Sequence, residues 1–145
     1  LGVEPAATGR RPSPAPVVYG DAQRLTQVII NLLVNASRYG SWADTIELAV
    51  VEADHQVTIT VSDHGIGIPE GEQERIFQHF VRASNASDVV AEGQGLGLHI
   101  VQSLVHLHAG EVGVRSTVGE GTTFWLTLPT FTAVDVVEAQ CASSL

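Results

Sequence analysis

One segment near the start of the chain has the spacing of an amphipathic helix. From position 21 to about position 39 the apolar residues recur at intervals of three and four, at Leu25, Val28, Ile29, Leu32, Leu33 and Ala36. This period places them on one face of a helix, and that face must be covered by a second layer of structure. Asp21 follows Gly20 and is a residue type favoured at a helix N-cap.

Later runs alternate between apolar and polar residues, which is typical of strands. Two of them, at 46–50 and 57–61, are joined by a polar turn at 53–56 and predict a hairpin. Two more cover 111–116 and 122–128, and a short candidate covers 17–19. Helical segments are predicted at 70–80 and 96–108, the second closed by Gly110. This order predicts an α/β two-layer sandwich, a mixed sheet of about five strands with about three helices on one face.

The length of 145 residues fits one compact domain, which we expect at 17–129. Residues 1–16 contain four prolines and are expected to be a flexible linker or a remnant of cloning, and residues 130–145 a C-terminal tail. The chain begins at Leu1 without any methionine, so we expect a fragment of a longer protein. Its apolar runs are too short to span a bilayer, and its single cysteine excludes an internal disulfide. We expect a cytoplasmic domain without membrane contact, in a parent that could itself be anchored.

The charge balance argues against nucleic acid as a partner. The net charge is -9, and all seven basic residues are arginine. Binding to a phosphate backbone depends on clustered lysine and arginine, which this composition does not supply. An anionic ligand would have to be held by local geometry against an unfavourable overall field.

The predicted first helix also carries a polar stripe beside its apolar face. The stripe contains Arg24, Gln27, Asn31, Asn35 and Arg38. Such a stripe can be an ordinary solvated face. Asparagine has a poor helix propensity, however, and its amide oxygen is a ligand that Mg²⁺ accepts together with phosphate and water. On this second interpretation Asn35 is the first candidate for Mg²⁺, and Arg38 can reach the same phosphates.

A turn with two glycines, at 63–69, follows the second strand of the predicted hairpin. Its sequence is Asp-His-Gly-Ile-Gly-Ile-Pro, and glycine permits the close approach of a ligand. An ionised Asp63 only accepts hydrogen bonds, so it can take the 6-amino group of adenine but would face the 6-keto oxygen of guanine unfavourably. The turn therefore predicts a preference for ATP over GTP. The alternative is that it merely connects two elements.

A second glycine cluster, at 93–98, opens the last predicted helix with the sequence Gly-Gln-Gly-Leu-Gly-Leu. The free N–H groups at a helix N-terminus and the positive end of the helix dipole form an anion site. A polar loop at 82–95 precedes the cluster instead of a strand, which disfavours a Rossmann fold. We expect phosphate binding here, with the loop as a lid.

The order of these motifs resembles the catalytic ATP-binding domain of bacterial sensor histidine kinases, with the Bergerat fold shared by gyrase, heat-shock chaperone and mismatch-repair ATPases. Residues 24–39 resemble the N box, 63–69 the first glycine box, 76–80 the phenylalanine box and 93–98 the second glycine box. Residues 119–124, Gly-Glu-Gly-Thr-Thr-Phe, resemble the last glycine motif before the closing strand. The resemblance covers roughly residues 17–129.

This resemblance implies roles for particular residues. The residues implied in catalysis are Asn35, Arg38 and Arg82, with Arg82 reaching the γ-phosphate from the lid side. Mg²⁺ would be bound by Asn35 and Asn31. The residues implied in binding ATP are Asn31, Asn35, Arg38, Tyr39, Asp63, Gly65, Gly67, Ile68, Gly93, Gly95, Leu96, Gly97, Leu98 and Thr122. Within that set Asp63 would read adenine, and Tyr39 would lie by the base or ribose.

The same resemblance implies a kinase rather than an ATPase. The gyrase and chaperone relatives carry a glutamate near the position of Asn31 that activates water, and a neutral amide cannot act as a general base. None of the six histidines has the sequence context of a phosphoacceptor. The implied partners are a separate helical dimerisation and phosphoacceptor His domain, and then a response regulator. Alone, the chain is expected to be a monomer that hydrolyses ATP slowly and does not autophosphorylate.

Two other functions stay open at this point. An anti-sigma-factor type serine kinase shares the fold and also lacks an attached His domain, and a degenerate regulator would bind only a nucleotide or a partner helix. The phenylalanine box and the Gly-Leu-Gly-Leu form of the second glycine box favour the histidine kinase over the serine kinase. The presence of Asn35, Asp63 and Gly95 favours it over the degenerate regulator.

Overall fold

The computed structural model describes residues 15–40, 45–78 and 97–131. Over these ranges the helices are α1 (Ala22–Tyr39) and α2 (Gly97–Leu107), and the strands are β1 (Glu47–Ala53), β2 (Gln56–Asp63), β3 (Glu111–Thr117) and β4 (Gly121–Pro129). The strands form one sheet in the order β1-β2-β4-β3. Helix α1 packs on β2 and on α2, and α2 packs on β3 and β4. The predicted α/β two-layer architecture is confirmed.

The sheet itself differs from the prediction. All four described strands pair antiparallel, whereas a mixed sheet with a further strand was expected. The turns between β1 and β2 and between β3 and β4 are two and three residues long, which forces antiparallel pairing. The strand expected at 17–19 is reduced to one antiparallel bridge between Val18 and Thr130. The reason is that Gly20 and the N-cap residue Asp21 turn the chain into α1 at once.

The helix predicted at 70–80 is present, over its described part, as two 3₁₀ turns, Glu70–Glu72 and Arg75–Phe77. Gly71 lowers the helix propensity of the segment. The side-chain amide of Gln73 donates to the carbonyl of Ser116 at 2.8 Å, which ties the segment to β3. A long-range contact therefore holds this segment instead of a regular helical stripe.

The core lies between the helices and the inner face of the sheet. Its members without any exposed surface are Val28, Leu32, Val101, Val105 and Phe124. The ring of Phe77 meets the ring of Phe124 edge-on, with centroids 6.1 Å apart. This contact anchors the second 3₁₀ turn on the sheet, and such aromatic pairs contribute more than their buried area alone.

The start of α1 and the end of α2 are joined by His108. Its Nε2 accepts the backbone N–H of Asp21 at 3.0 Å, and its Nδ1 donates to the carbonyl of Leu104 at 2.7 Å. The carboxylate of Asp21 in turn caps α1 by accepting backbone N–H groups of its first turn. One imidazole therefore links the start of α1 to the end of α2.

Helix α2 ends one residue earlier than the glycine signal predicts. Ala109, not Gly110, adopts the left-handed conformation, with a φ of 58°. The N–H of Gly110 then donates to the carbonyl of Val105 at 3.0 Å, which is the Schellman arrangement. Gly110 is needed for another reason, since a Cβ there would overlap the carbonyl of Thr127. Neither described helix is long and apolar enough to cross a membrane.

Candidate functional site

One row of side chains on the inner face of the sheet is polar. Asp63 of β2 pairs with Thr122 of β4, and Thr122 pairs with Ser116 of β3, so the three side chains lie side by side on the same face. The next row on that face is apolar and consists of Val61, Phe124 and Val114. The apolar core therefore ends at a row of hydrogen-bonding groups.

Asp63 is buried in this row, with 6% of its surface exposed. Its Oδ1 accepts the backbone N–H of Gly65 at 2.9 Å. Burial raises the pKa of the Asp63 carboxyl above its ordinary value of 3.8, and the backbone N–H groups of Gly65 and Thr122, together with nearby His64, oppose the rise. The carboxylate is thus oriented by backbone donors that belong to the sheet and its adjoining turn.

The turn that follows β2 is held on two sides. The N–H of Ile66 donates to the carbonyl of Tyr39, at the end of α1, at 3.1 Å. The carbonyl of Ile66 accepts the N–H of Gly119 at 2.9 Å, and the N–H of Ile68 donates to Oγ of Ser116 at 2.8 Å. The predicted first glycine box therefore lies between the end of α1 and the turn that joins β3 to β4.

Two glycines are required by close backbone approach. A Cβ at Gly65 would overlap the carbonyl of Tyr39, and a Cβ at Gly121 would overlap the carbonyl of Asp63. Gly121 also has a φ of 123°, which residues with a side chain rarely adopt. Because the close neighbours are protein backbone, the fold needs these glycines independently of any ligand.

The polar stripe of α1 extends from the polar row toward α2. Asn31 and Asn35 are half-buried and Arg38 is exposed. Nδ2 of Asn31 donates to the carbonyl of Gly97, the first described residue of α2, in a long hydrogen bond of 3.4 Å. Helix α1 carries no acidic residue, although the whole chain has a net charge of -9. The stripe is therefore a cationic and amide-rich edge on an acidic domain.

The end of α1 reaches the polar row itself. Tyr39 is half-buried, and a Cβ built on Gly40 would lie 3.4 Å from Cβ of Asp63. From Tyr39 back to Asn31 the helix rises by about 12 Å, at about 1.5 Å per residue. Tyr39, predicted to lie by the base or ribose, and Asn31, predicted to bind Mg²⁺, are thus both on α1 and about two turns apart.

For three further predicted site residues, the contacts that the structure describes are with the protein itself. Ile68 and Leu98 are partly buried and pack against the core, so their side chains have a structural role. Gly67 is buried, and a Cβ there would overlap the carbonyl of Thr117. The residues expected in the lid and the second glycine box that lie outside the described residues are Arg82, Gly93, Gly95 and Leu96.

Sequence reasoning missed Ser116 and Gln73. Ser116 Oγ accepts the N–H of Ile68, and the amide of Gln73 donates to the carbonyls of Ile68 and Ser116 at 3.0 and 2.8 Å. The alternation along β3 could have indicated Ser116, because it follows Val112 and Val114 on the inward-facing side. No local pattern indicates Gln73, whose partners are 5 and 43 positions away in sequence.

Comparisons with known proteins agree with this geometry. The family model for histidine kinase-, DNA gyrase B- and HSP90-like ATPases matches residues 20–132. The adaptive-response sensory kinase SasA of Prochlorococcus marinus is 40% identical over 119 residues, which are 81% of this chain and 31% of that protein. The circadian input-output histidine kinase CikA of Synechococcus elongatus is 40% identical over 122 residues, 84% of this chain and 16% of that protein. The chain therefore spans a third or less of these curated relatives.

Solved structures show the same similarity. The mycobacterial sensor histidine kinase MprB superposes with a TM-score of 0.72 at 29% identity, covering 78% of this chain and 76% of that one. Full-length ShkA in complex with AMPPNP superposes with a TM-score of 0.70 at 34% identity, covering 83% of this chain and 24% of that one. The chain belongs to the histidine kinase-, DNA gyrase B- and HSP90-like ATPase family, and it is an ATP-binding domain of the histidine kinase type.

Proposed function

We propose that this domain binds Mg²⁺ and ATP between the polar row and the α1 stripe, and that it donates the γ-phosphoryl group to a histidine on a separate helical domain for relay to a response regulator. The observation that carries the proposal is the buried carboxylate of Asp63, which the backbone orients at the point where the apolar core ends. A carboxylate in that position accepts the 6-amino group of adenine and disfavours a 6-keto group.

The rest of the nucleotide would follow α1. We assign the base end to Asp63, Thr122 and Tyr39, which the structure brings to the same end of the sheet, and the phosphates to Asn35 and Arg38. Arg38 lies in the last turn of a helix that has no acidic residue to compete for its guanidinium. A permanently charged donor fork on such a helix supports binding of a polyphosphate despite the negative charge of the domain.

The amides of α1 fit Mg²⁺ as neutral oxygen ligands. Nδ2 of Asn31 is directed at the carbonyl of Gly97, which leaves its Oδ1 as the atom available to a cation. Mg²⁺ prefers a few protein oxygens and completes its octahedral shell with phosphate oxygens and water. When bound, the ion would neutralise charge on the β- and γ-phosphates. Asn31 and Asn35 are the residues that would hold it.

The chain itself would contribute positioning rather than a reacting group. In the transfer, a neutral imidazole nitrogen of the partner forms a bond to the γ-phosphorus while the bond to the ADP oxygen breaks. A neutral amide at Asn31 cannot remove a proton from water, so hydrolysis of bound ATP is expected to be slow. The domain would therefore hold ATP until the acceptor histidine arrives.

Titration calorimetry tests the binding part of the proposal. ATP, ADP and GTP are titrated into the 145-residue chain with and without Mg²⁺, and into Asp63→Asn. The expected result is adenine-selective binding that is weakened by the substitution. Absence of ATP binding, or equal binding of GTP, would contradict the assignment of Asp63.

A labelling experiment tests the transfer. With γ-labelled ATP the chain alone is expected to stay unlabelled, and an added helical phosphoacceptor domain is expected to acquire label on histidine. Acid-labile label identifies phosphohistidine. Acid-stable label on a serine of the acceptor would instead support the serine kinase alternative.

A further inference from the structure

The hydrogen bonds of the Ser116 hydroxyl can be assigned completely. Oγ donates to the carbonyl of Gly121 at 2.8 Å, accepts the N–H of Ile68 at 2.8 Å, and lies 2.9 Å from Oγ1 of Thr122. A hydroxyl has one proton and two lone pairs. Because the carbonyl of Gly121 can only accept, the proton of Ser116 is committed to it. Thr122 must therefore be the donor in the Ser116–Thr122 bond.

This assignment determines which hydrogen bonds the hydroxyl of Thr122 can make with a ligand. Its only hydroxyl proton is directed at Ser116, so its oxygen offers lone pairs alone to any ligand beside it. Thr122 is 6% exposed and pairs across the sheet with Asp63, whose carboxylate is also an acceptor. The two residues together form an edge that accepts hydrogen bonds and does not donate them from side chains.

We infer that Ser116 is a specificity-determining residue that acts through Thr122 rather than on the base itself. By taking the proton of Thr122, it keeps the edge formed by Asp63 and Thr122 complementary to an amino group at position 6 of a purine. Without Ser116 the hydroxyl of Thr122 would rotate and donate to a 6-keto oxygen. This inference rests on the proposed function, because it concerns the nucleotide assigned to the same site.

The test compares ATP with inosine triphosphate, which carries a 6-keto group and an N1 proton in place of the 6-amino group. Both are titrated with Mg²⁺ into the wild-type 145-residue chain, Ser116→Ala and Ser116→Thr. The dissociation constant for inosine triphosphate divided by that for ATP is expected to fall about tenfold in Ser116→Ala, which is the effect of about one hydrogen bond. Ser116→Thr retains the hydroxyl, so this ratio is expected to stay at the wild-type value.

Ser62→Ala is the matched control. Ser62 of β2 makes the same kind of cross-strand bond, 2.8 Å to Oγ1 of Thr123 of β4. These two residues directly neighbour Asp63 and Thr122 along their strands, and hence they lie on the opposite face of the sheet. The substitution removes one hydroxyl from the sheet without touching the polar row, so the ratio is expected to stay at the wild-type value. If Ser116→Ala does not fold, Ser116→Cys replaces it, because a thiol of similar size is a weak hydrogen-bonding group.

The possible outcomes distinguish a role of Ser116 in specificity from a purely structural role. An unchanged ratio in Ser116→Ala, with both nucleotides weakened equally, would show a structural role only and overturn the inference. A ratio that falls as far in Ser62→Ala would overturn it as well. If the wild-type chain binds neither nucleotide, the proposed function fails, and the inference fails with it.

Discussion

Polar groups form hydrogen bonds at both ends of helix α1, but the partners of these groups differ between the two ends. At the end where α1 begins, the donors and acceptors of His108, Asp21 and Leu104 satisfy one another. At the end where α1 stops, Asp63 is held by the backbone N–H groups of Gly65 and Thr122, with His64 nearby. The contacts at the first end join the two helices, while those at the second end orient a charged group at the edge of the core.

This contrast supports the proposed role of Asp63 in binding a ligand. Burying a charge costs free energy unless it is paired, and the raised pKa of Asp63 records that cost. A structural solution with matched partners exists at the other end of the same helix, in the contacts of His108. A ligand that donates to Asp63 would explain why the costlier arrangement is present.

The largest expected effect comes from the core that both ends share. Phe124→Ala removes a ring with no exposed surface and should lower the free energy of unfolding by about 3–5 kcal/mol, measured by urea denaturation. Val50→Ala, in the exposed strand β1, is the control, with an expected change within about 0.5 kcal/mol. Similar losses of unfolding free energy in the two variants would contradict the assignment of Phe124 to the core.

Asp63→Asn should weaken the binding of ATP without lowering the stability of the domain. Loss of a hydrogen bond to a charged acceptor is expected to weaken ATP binding by about 1.5–3 kcal/mol, roughly 10- to 150-fold. Stability at neutral pH should not fall, because the variant no longer buries a charge. Calorimetric titration and thermal melting check the two parts. A variant that melts well below wild type would show that Asp63 is mainly structural.

His108→Ala should have the opposite profile at the other end. Its removal leaves the N–H of Asp21 without its partner and takes the side-chain hydrogen bond from the carbonyl of Leu104, which keeps the backbone N–H of residue 108, and it should cost about 1–2 kcal/mol of stability by urea denaturation. ATP affinity should stay at the wild-type value. His106→Ala, exposed on the same helix, is the control for loss of a histidine. A large loss of ATP affinity in His108→Ala would mean that the two ends are coupled.

The smallest expected effect is the pH dependence of Asp63. Because its native pKa is raised, the stability linked to protonation is fully present below the ordinary value of 3.8 and is lost as the pH rises through the native pKa. The stability advantage of Asp63→Asn over wild type should therefore be greatest at neutral pH and vanish toward pH 3.8. Urea denaturation of both proteins at several pH values measures it. An advantage that grows on acidification would contradict the raised pKa.

Local patterns were sufficient to predict most of the elements. The helical period from Leu25 to Ala36 and the alternation in the strands predicted α1 and four strands, because burial of one face imposes a fixed spacing. The same patterns failed at 17–19 and over the described part of 70–80, where a neighbouring turn and a long-range contact of Gln73 decide the conformation. For the site residues, the sequence supplied residue types and order, and those roles stay predictions.

The sequence by itself therefore determined which segments become helix and strand, and it identified Asp63 as an acceptor, because these properties depend on residue type and spacing. Only the tertiary structure decided that Asp63, Thr122 and Ser116 form one row, since that depends on the register of β2, β4 and β3. The register also decides which way the hydroxyl proton of Thr122 points, through the bonds of Ser116. Strand pairing joins residues almost 60 positions apart, a relation that short-range periodicity does not contain.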